Sequence, residues 1–227
     1  MDLDERVPEP ELMTDPEQAA AYSAADFAEA HQRLVDAFVD RFPELRDDRD
    51  LTLLDLGCGP ADVTVRLARA LPWATLVGVD GSAAMLAPGH ERVRAAGLGD
   101  RIRLEQARLP DASLETRRFG AVVSTSVLHH LADPAVLWRT IVACAAPGAV
   151  VFVADLRRPR DDAAVDAMVA TGAAGEPAVL VEDFRNSLRA AYRPEEVRAQ
   201  ATAAGLDLVV ETIGERHLAA WGRIPRG

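Results

Sequence analysis

The chain has 227 residues, of which 49% are hydrophobic and 5% aromatic, and its formal net charge at pH 7 is -11. This length and hydrophobic content suffice for one full core with a modest appendage, built mostly from Ala, Leu and Val. The negative charge argues against sequence-independent binding to nucleic acid or to an anionic membrane, because both depend on basic patches. We therefore expect one domain overall, with neither nucleic acid nor membrane as a partner.

The N-terminal residues are acidic and contain prolines, without the basic segment and apolar stretch of a secretory signal. No apolar run approaches the roughly 20 residues that span a bilayer. The two cysteines, Cys58 and Cys144, lack metal-ligand spacing. These features predict a cytoplasmic protein without a metal site.

Apolar residues recur at helical spacing in residues 16–42, where Phe27, Leu34, Val35 and Phe38 can share one face. From residue 51 onward strands and helices alternate, which predicts a doubly wound, mostly parallel sheet. Strands are predicted at 51–56, 75–80, 101–105, 119–125 and 148–155, with helices near 62–71, 82–96 and 134–145.

The end of the chain departs from this alternation. A predicted helix near 194–204 is followed by two further segments, 206–213 and 217–221. The short separation between these segments suits a hairpin.

The most informative stretch is residues 51–64, an apolar strand that ends in a Gly-Cys-Gly turn and leads into a helix. Gly57 and Gly59 lack Cβ atoms, so the turn can take backbone angles closed to other residues and a ligand can lie against the main chain. The helix that opens at Asp62 or Thr64 directs its unpaired N–H groups to the same place. Such a turn alone is a weak signal and also fits an ordinary tight turn.

A second predicted strand ends at Asp80, 21 residues after Gly59. At this spacing a carboxylate can accept hydrogen bonds from both ribose hydroxyls of a nucleoside held over the glycine turn. The alternative is a role at the start of the helix predicted from residue 82. Nicotinamide and flavin sites want Gly or Ala at position 62, whereas Asp62 suits a cationic ligand better than a pyrophosphate. S-adenosylmethionine (SAM) carries a sulfonium and an ammonium.

Five sequence blocks together resemble the class I SAM-dependent methyltransferases, and within them the small-molecule methyltransferase-domain group. The blocks are LDLGCGPADVT at 54–64, VGVDGSAAML at 77–86, RLP at 108–110, FGAVVSTSVLHHLADP at 119–134 and APGAVVFVADLRRP at 146–159. The resemblance covers residues 45–222. It implies a Rossmann-like α/β fold with a seven-stranded, mostly parallel sheet whose last strand is antiparallel. It also implies SAM as the cofactor and S-adenosylhomocysteine (SAH) as its product.

The resemblance further implies roles for individual residues. Asp55, Gly57 and Gly59 would lie along the methionine half of SAM, and Asp80 would hold the ribose. The adenine would lie between Met85 and Leu109. The other expected cofactor residues are Cys58, Gly81, Gln106, Ala107 and Ser124.

One departure from the family concerns the adenine amino group. The family often has an acidic residue directly before the Leu-Pro pair, whereas this chain has Arg108 there. Gln106 could accept the hydrogen bond through its amide oxygen, or Glu105 could serve instead.

Two segments fall outside the predicted cofactor-binding core at 45–156. They are a helical N-terminal cap at 1–44 and an insertion at 157–193, while residues 194–227 complete the sheet. Ligands of doubly wound sheets bind at the carboxyl ends of the strands, so both segments are placed to cover the site. In the family, equivalent pieces form the substrate pocket and lid. The expected pocket residues are Tyr22, Phe27, His31, Phe184, Asn186, Arg189 and Tyr192, each of which could equally serve packing or solvation.

The cofactor implies an in-line displacement in which an acceptor atom attacks the methyl carbon, so the protein mainly aligns atoms and excludes water. His129 or His130, just after the predicted fourth strand, is best placed to take a proton from the acceptor. The alternative for either histidine is capping or packing of the next helix. The expected function is methyl transfer to an O, N or C atom of a small molecule.

The sequence lacks the motifs of two other methyltransferase classes. Ser124, Thr125 and Ser126 do not supply the oxygen-rich ligands of metal-assisted catechol-type transfer, and no Asp-Pro-Pro-Tyr-like motif for a flipped adenine is present. Two alternatives stay open: a protein that binds SAM without methylating, as a regulatory module or another catalyst, and a nicotinamide-dependent reductase.

Overall fold

A seven-stranded sheet organises the computed structural model of the chain, which describes residues 3, 5–10 and 12–226. Its strands are β1 (Thr52–Leu56), β2 (Thr75–Asp80), β3 (Ile102–Gln106), β4 (Phe119–Thr125), β5 (Ala145–Leu156), β6 (Val209–Ile213) and β7 (His217–Arg223). Their order across the sheet is β3-β2-β1-β4-β5-β7-β6. The pairs among β1 to β5 are parallel, whereas β7 runs antiparallel to both β5 and β6. The predicted fold class, with its antiparallel last strand, is confirmed.

Helices cover both faces of this sheet. They are α1 (Pro16–Ala24), α2 (Ala28–Arg41), α3 (Asp62–Ala70), α4 (Ala83–Ala95), α5 (Ala112–Glu115), α6 (Ala135–Cys144), α7 (Asp162–Gly172), α8 (Ala178–Ala190) and α9 (Pro194–Ala203). Short 3-10 turns occur at Pro43–Arg46 and Leu128–His130. None of the helices in this described part of the chain is long and apolar enough to cross a membrane.

Successive residues of the strands point into two separate cores. Leu53 and Phe152 pack with α2 and α3 on one face, whereas Leu54 and Val151 pack with α6 and α9 on the other. Such alternation follows from the two-residue period of a strand, and burial on both faces explains why these strands are apolar throughout. Polar side chains are therefore concentrated at the strand ends.

The N-terminal helical segment differs in one respect from its predicted pattern. Leu34, Val35 and Phe38 are buried against the sheet, and the Phe38 ring meets the edge of Phe152 at a centroid distance of 5.6 Å. Phe27, however, lies at the break between α1 and α2 and is only half-buried. Its ring centroid lies 4.8 Å from that of Tyr22. Because Phe27 precedes α2 and packs on α1, the prediction that it shares the buried face of Leu34, Val35 and Phe38 is wrong.

The residues before α1 form an extended segment that we call the N-terminal arm, defined as residues 3, 5–10 and 12–13. Backbone N–H groups of the arm donate to two carbonyls, Leu3 to Arg160 and Val7 to Arg189, each at 3.1 Å. At its other end, the Ser82 hydroxyl donates to the Met13 carbonyl at 2.6 Å. The arm thus runs across the carboxyl ends of the strands, from the region after β5 to the start of α4.

The segment between β5 and α9 consists of α7 and α8, which share a small apolar cluster with Leu3 of the arm. Helix α8 also meets α1, because the Gln18 amide donates to the Asp183 carboxylate at 2.8 Å. The arm, α1 and α8 therefore lie together at one edge of the sheet.

Substitution of two phenylalanines tests this packing. Phe38→Ala should lower the free energy of unfolding by about 3–5 kcal/mol, because it leaves a cavity in a close-packed core. Phe27→Ala should cost at least about 1.5 kcal/mol less, since that side chain is half-exposed. Equal losses in urea denaturation of the two variants would contradict the assignment of Phe38 to the core.

Candidate functional site

A tight glycine turn follows β1. Gly57 and Gly59 have positive φ angles of 75° and 50°, and the N–H groups of Gly57 and Cys58 donate to the Val79 carbonyl at 2.7 and 3.0 Å. A Cβ atom on Gly57 would lie 2.1 Å from Cγ2 of Val127. The turn therefore excludes any side chain at Gly57, and its backbone forms the wall of the site.

Asp80 connects this turn to the start of α4. One carboxylate oxygen accepts from the Gly59 N–H at 2.9 Å and the other from the Ser82 N–H at 2.8 Å. Burial raises the pKa of Asp80, although both backbone bonds oppose that shift. Each oxygen keeps a lone pair for a further donor, and the side chain is only half-buried.

Asp55, in β1, is buried and incompletely satisfied. The Thr64 hydroxyl donates to Oδ2 at 2.6 Å, but Oδ1 has no hydrogen-bond partner among the described residues. Burial raises the pKa of Asp55 to about 6. A buried carboxylate oxygen without a partner is costly and indicates either a ligand or a strained functional group.

Other residues expected at the cofactor line the same edge. Met85 is buried, and its Cε lies 3.2 Å from where a Cβ on Gly59 would be. Leu12 of the arm lies over Gly81, and the Ala107 N–H donates to the Asp80 carbonyl at 3.1 Å. Leu109 is half-buried and packs beside Ala107 against the core on the α6 and α9 face of the sheet.

Two of the expected cofactor residues are committed to internal contacts. The Ser124 hydroxyl is buried and donates to the Leu56 carbonyl at 2.9 Å. Burial raises the pKa of the Cys58 thiol well above its usual value, which keeps it protonated and argues against a reactive thiolate. Both side chains are thus used within the protein, next to the glycine turn.

The two candidates for the adenine amino group differ in their surroundings. The Glu105 carboxylate is held by Arg117 at 2.9 Å and by Arg103 at 3.1 Å. The Gln106 amide nitrogen instead donates to the Gly81 carbonyl at 3.3 Å, and its side chain is exposed at the site edge. This arrangement favours Gln106 over Glu105.

Asp62 has protein partners of its own. Its carboxylate contacts His31 Nδ1 and Arg66 Nε, each at 2.8 Å, and lies 3.9 Å from Arg92 Nε. Burial alone would raise the pKa of Asp62, but His31 and Arg66 outweigh it and lower the pKa. The Asp62 carboxylate therefore connects α2, α3 and α4. Because its charge is already paired with side chains of the protein, it does not support the predicted preference for a cationic ligand.

The predicted pocket residues fall into two groups. Tyr22, Phe27 and His31 line a small pocket of about 100 Å³ together with Asp62 and Arg92. Burial raises the pKa of Tyr22 to about 12, so its hydroxyl stays protonated. This pocket is much smaller than the roughly 300 Å³ of the smallest typical ligand sites.

The second group lies on or next to α8. Phe184 packs in the cluster of α7 and α8 below Arg216, and Arg189 pairs with Asp162 at 2.7 Å. Asn186 is half-buried on the same helix. Tyr192 is buried, and the Arg6 guanidinium lies 4.5 Å from its ring centre. Tyr192 thus connects this group to the arm.

A buried pair forms at the carboxyl ends of β4 and β5. His129 Nδ1 lies 2.5 Å from Asp155 Oδ1, and the His129 N–H donates to Oδ2 at 3.2 Å. Burial lowers the pKa of His129, but the Asp155 and Glu9 carboxylates outweigh it and raise the pKa. Burial also raises the pKa of Asp155, and His129 more than reverses that shift. His129 is thereby held in one orientation with Nε2 facing away from Asp155.

His130 differs from its neighbour. Burial and the charge of His129 lower the pKa of His130 to about 3, which keeps the ring neutral. Its Nδ1 lies 3.1 Å from Glu9 Oε1 and 3.3 Å from the Pro10 carbonyl. Because both neighbours are acceptors, Nδ1 carries the proton.

Sequence reasoning missed Asp155 and Glu9. Asp155 had a usable signal, since it is the one charged residue within the apolar stretch 145–156. Glu9 had none, because nothing in an acidic, proline-containing terminus indicates contact with residues some 120 positions later.

Comparison with known proteins finds similarity to methyltransferases. Residues 54–151 match the family described as "Methyltransferase domain". An uncharacterized methyltransferase of Mycobacterium tuberculosis (strain H37Rv) is 32% identical over 107 residues, 47% of this chain and 51% of that protein. A ubiquinone biosynthesis O-methyltransferase of Rhizobium leguminosarum bv. trifolii is 30% identical over 163 residues, 71% of this chain and 61% of that protein.

A solved structure, the plantazolicin methyltransferase in complex with SAH, superposes with a TM-score of 0.72 over 92% of this chain and 90% of its own, at 13% identity. Over residues 54–151 the chain is thus similar to methyltransferases, and as a whole it shares the fold of the solved methyltransferase structure. It spans 26% to 62% of the length of its curated relatives.

In this protein, Asp55 should make the free energy of unfolding depend on pH. Its pKa rises from 3.8 to about 6 on folding, so its contribution to stability is present below pH 4 and is lost as pH rises through 6. Asp55→Asn, whose amide oxygen can still accept from Thr64, should therefore unfold at higher temperature than wild type at pH 7.5, with a gain of at most about 3 kcal/mol.

Thermal unfolding at pH 4 and pH 7.5 checks this, because the gain should nearly vanish at pH 4. The exposed Asp100→Asn serves as the control and should show no such gain. The stability gained by Asp55→Asn over wild type should be larger at pH 7.5 than at pH 4. A gain that is smaller at pH 7.5 would contradict the conclusion that the charged form of Asp55 destabilises the fold.

Proposed function

We propose that this chain binds SAM at the carboxyl ends of β1 and β2 and transfers its methyl group to an oxygen atom of a small molecule. The observation that carries the proposal is the pair Asp55 and Asp80 on either side of the Gly57–Gly59 turn. One carboxylate has an unpartnered buried oxygen, and the other retains free lone pairs beside the glycine backbone. Together they fit a ligand with both a cationic part and vicinal hydroxyls.

In this proposal Asp80 holds the ribose, and the Gly57–Gly59 backbone with Asp55 contacts the methionine part. Met85, Leu109 and Gln106 surround the adenine. When bound, SAM supplies a methyl group already activated by its sulfonium. The chain's own tasks are therefore alignment of the acceptor and exclusion of water.

The proposed base is His129. Asp155 fixes the ring through Nδ1, so Nε2 can receive a proton from an acceptor hydroxyl once its contact with Glu9 Oε1, at 3.3 Å, is broken. The raised pKa of His129 favours holding that proton once transferred. His130 keeps its own proton on Nδ1 and is better suited to donate a hydrogen bond. An oxygen acceptor is also supported by the likeness to O-methyltransferases of ubiquinone biosynthesis.

Two surfaces are proposed to enclose the acceptor. One is α8 with Asn186 and the adjoining Tyr192, and the other is α1 with the arm. The hydrogen bond between Gln18 and Asp183 supports this closure, because it joins the two surfaces above the strand ends.

Cofactor binding is tested by calorimetric titration of SAH into wild type and Asp80→Ala. Loss of the ribose hydrogen bonds, worth about 1.4 kcal/mol, should weaken binding roughly tenfold or more. Asp80→Asn, which preserves the side-chain volume, separates the ribose contact from distortion of the turn, and the exposed Asp100→Ala should match wild type. Absence of SAH binding to wild type would reject the proposal, and enhanced NADH fluorescence on mixing would point to a reductase.

The role of His129 is tested with a panel of phenols and hydroxybenzoates, by measuring SAH release. His129→Ala should reduce kcat by about 10²–10⁴-fold and leave SAH affinity within about threefold, since a base acts only on the acceptor. His90→Ala, in α4, is the matched control. Unchanged turnover in His129→Ala would remove it as the base. SAH binding without methylation of any acceptor would favour a protein that binds SAM without methyl transfer.

The pH dependence of activity distinguishes a positioning role of Asp155 toward His129 from a purely structural role. Activity that needs neutral His129 should rise with pH through a midpoint above 6.5, because Asp155 and Glu9 raise its pKa. In Asp155→Asn the midpoint should move to lower pH, since a carboxylate that favours the charged ring is gone. A merely structural Asp155 would leave the midpoint where it is.

A further inference from the structure

Glu9 of the N-terminal arm lies beside His129 and His130, and only 11% of its side chain is exposed. Its Oε1 lies 3.3 Å from His129 Nε2 and 3.1 Å from His130 Nδ1. The Ser187 hydroxyl, on α8, donates to the same oxygen at 3.0 Å. Three groups from two separate elements therefore converge on one carboxylate oxygen.

The partners of these groups define where their protons lie. His130 Nδ1 faces only acceptors, so it donates. His129 has a carboxylate at each ring nitrogen, Asp155 at Nδ1 and Glu9 at Nε2, so both nitrogens carry protons in this arrangement. The site around Oε1 thus presents three hydrogen-bond donors and a cationic ring.

The position of the Glu9 carboxylate disfavours its charged form. Desolvation raises the pKa of Glu9, and His129 and Ser187 only partly offset it. The arm itself is attached elsewhere, through the Arg6 guanidinium on the carbonyls of Ala190 and His129 and through backbone contacts at both its ends. Glu9 is therefore not needed to attach the arm, whereas the three donors need an anionic oxygen in its place.

We propose that the donors around Glu9, namely His129 Nε2, His130 Nδ1 and Ser187 Oγ, form an oxyanion site for the methyl acceptor, which presents a carboxylate or phenolate oxygen. Glu9 fills this site until such an acceptor displaces it. The assignment rests on the proposed function, because it places the attacking oxygen on the proposed base. It names the acceptor as an acidic oxygen compound.

Displacement of Glu9 also decides when His129 can act as a base. While Glu9 is in place, Nε2 already holds a proton. A neutral phenol gives its proton to Nε2 only after Glu9 has been displaced and has carried the Nε2 proton away on its carboxyl group. An acceptor that enters as an oxyanion has no proton to lose. Both routes end with an anionic oxygen on protonated Nε2.

The test is calorimetric titration of three probes, without SAH, into wild type, Glu9→Ala and Glu5→Ala. The probes are benzoate, p-nitrophenolate and the neutral benzamide. Glu9→Ala should bind benzoate or p-nitrophenolate at least about tenfold more tightly than wild type, because its own carboxylate no longer competes for charge-assisted hydrogen bonds. Glu5 is exposed on the same arm, so Glu5→Ala should match wild type. A larger gain for benzoate assigns a carboxylate acceptor, and a larger gain for p-nitrophenolate assigns a phenolate.

Further variants keep the result interpretable. Ser187→Ala in the Glu9→Ala background should lose part of the gained affinity, and Glu9→Gln guards against an unfolded Glu9→Ala, with folding checked by thermal unfolding. Equal affinities in all three proteins, no anion binding to folded Glu9→Ala, or equal binding of benzamide would overturn the oxyanion site. Loss of this anion binding in EDTA would also overturn it, by assigning the anion to a metal ion held by His129 and His130.

The two proposals can fail separately. The probe titrations need no cofactor, so failure of SAH to bind would reject methyl transfer and leave the oxyanion result standing. SAH binding with no anion binding to Glu9→Ala would reject only the oxyanion site.

Discussion

Burial of the sheet on both faces is the constraint on which the rest of this structure depends. Strands that pack into a core on each side have room for polar side chains only near their ends, because a charge elsewhere would be cut off from water and partners. Asp55, Asp80 and Asp155 accordingly occupy the last or next-to-last positions of β1, β2 and β5. Since parallel strands end at one edge, the three carboxylates share the edge that the arm, α1 and α8 cover.

The three carboxylates differ in how the chain satisfies them, and the differences divide the site into two parts. Asp80 accepts from two backbone N–H groups, and Asp155 is neutralised by His129, whereas Asp55 has only the Thr64 hydroxyl. The incomplete partnering of Asp55 supports a cofactor with a cationic part on the β1 and β2 side. The complete pairing of Asp155 supports a rigid base on the β4 and β5 side, where the arm presents Glu9.

Most of the fold could be predicted from the sequence because its signals are local. Apolar runs, glycines after β1 and the spacing to Asp80 each report on a few neighbouring residues, and the strands and helices that were predicted from residue 51 onward begin and end within three residues of the predicted bounds. The break between α1 and α2, and helices α5, α7 and α8, were not predicted. Contacts between distant segments could not be predicted. The partners of Asp62 on α2 and α4 and the contact of Glu9 with His129 depend on how helices and the arm pack, which no periodicity encodes. Asp155 is intermediate, since its place in an apolar strand is visible but its partner is not.

The central claim is that the incompletely hydrogen-bonded carboxylates at this edge form a SAM site. A crystal structure with SAH tests it most directly. We expect SAH to lie against the Gly57–Gly59 turn, with both ribose hydroxyls within hydrogen-bond distance of the Asp80 carboxylate. SAH bound at another surface, or contacts that leave Asp80 with only its two backbone donors, would contradict it.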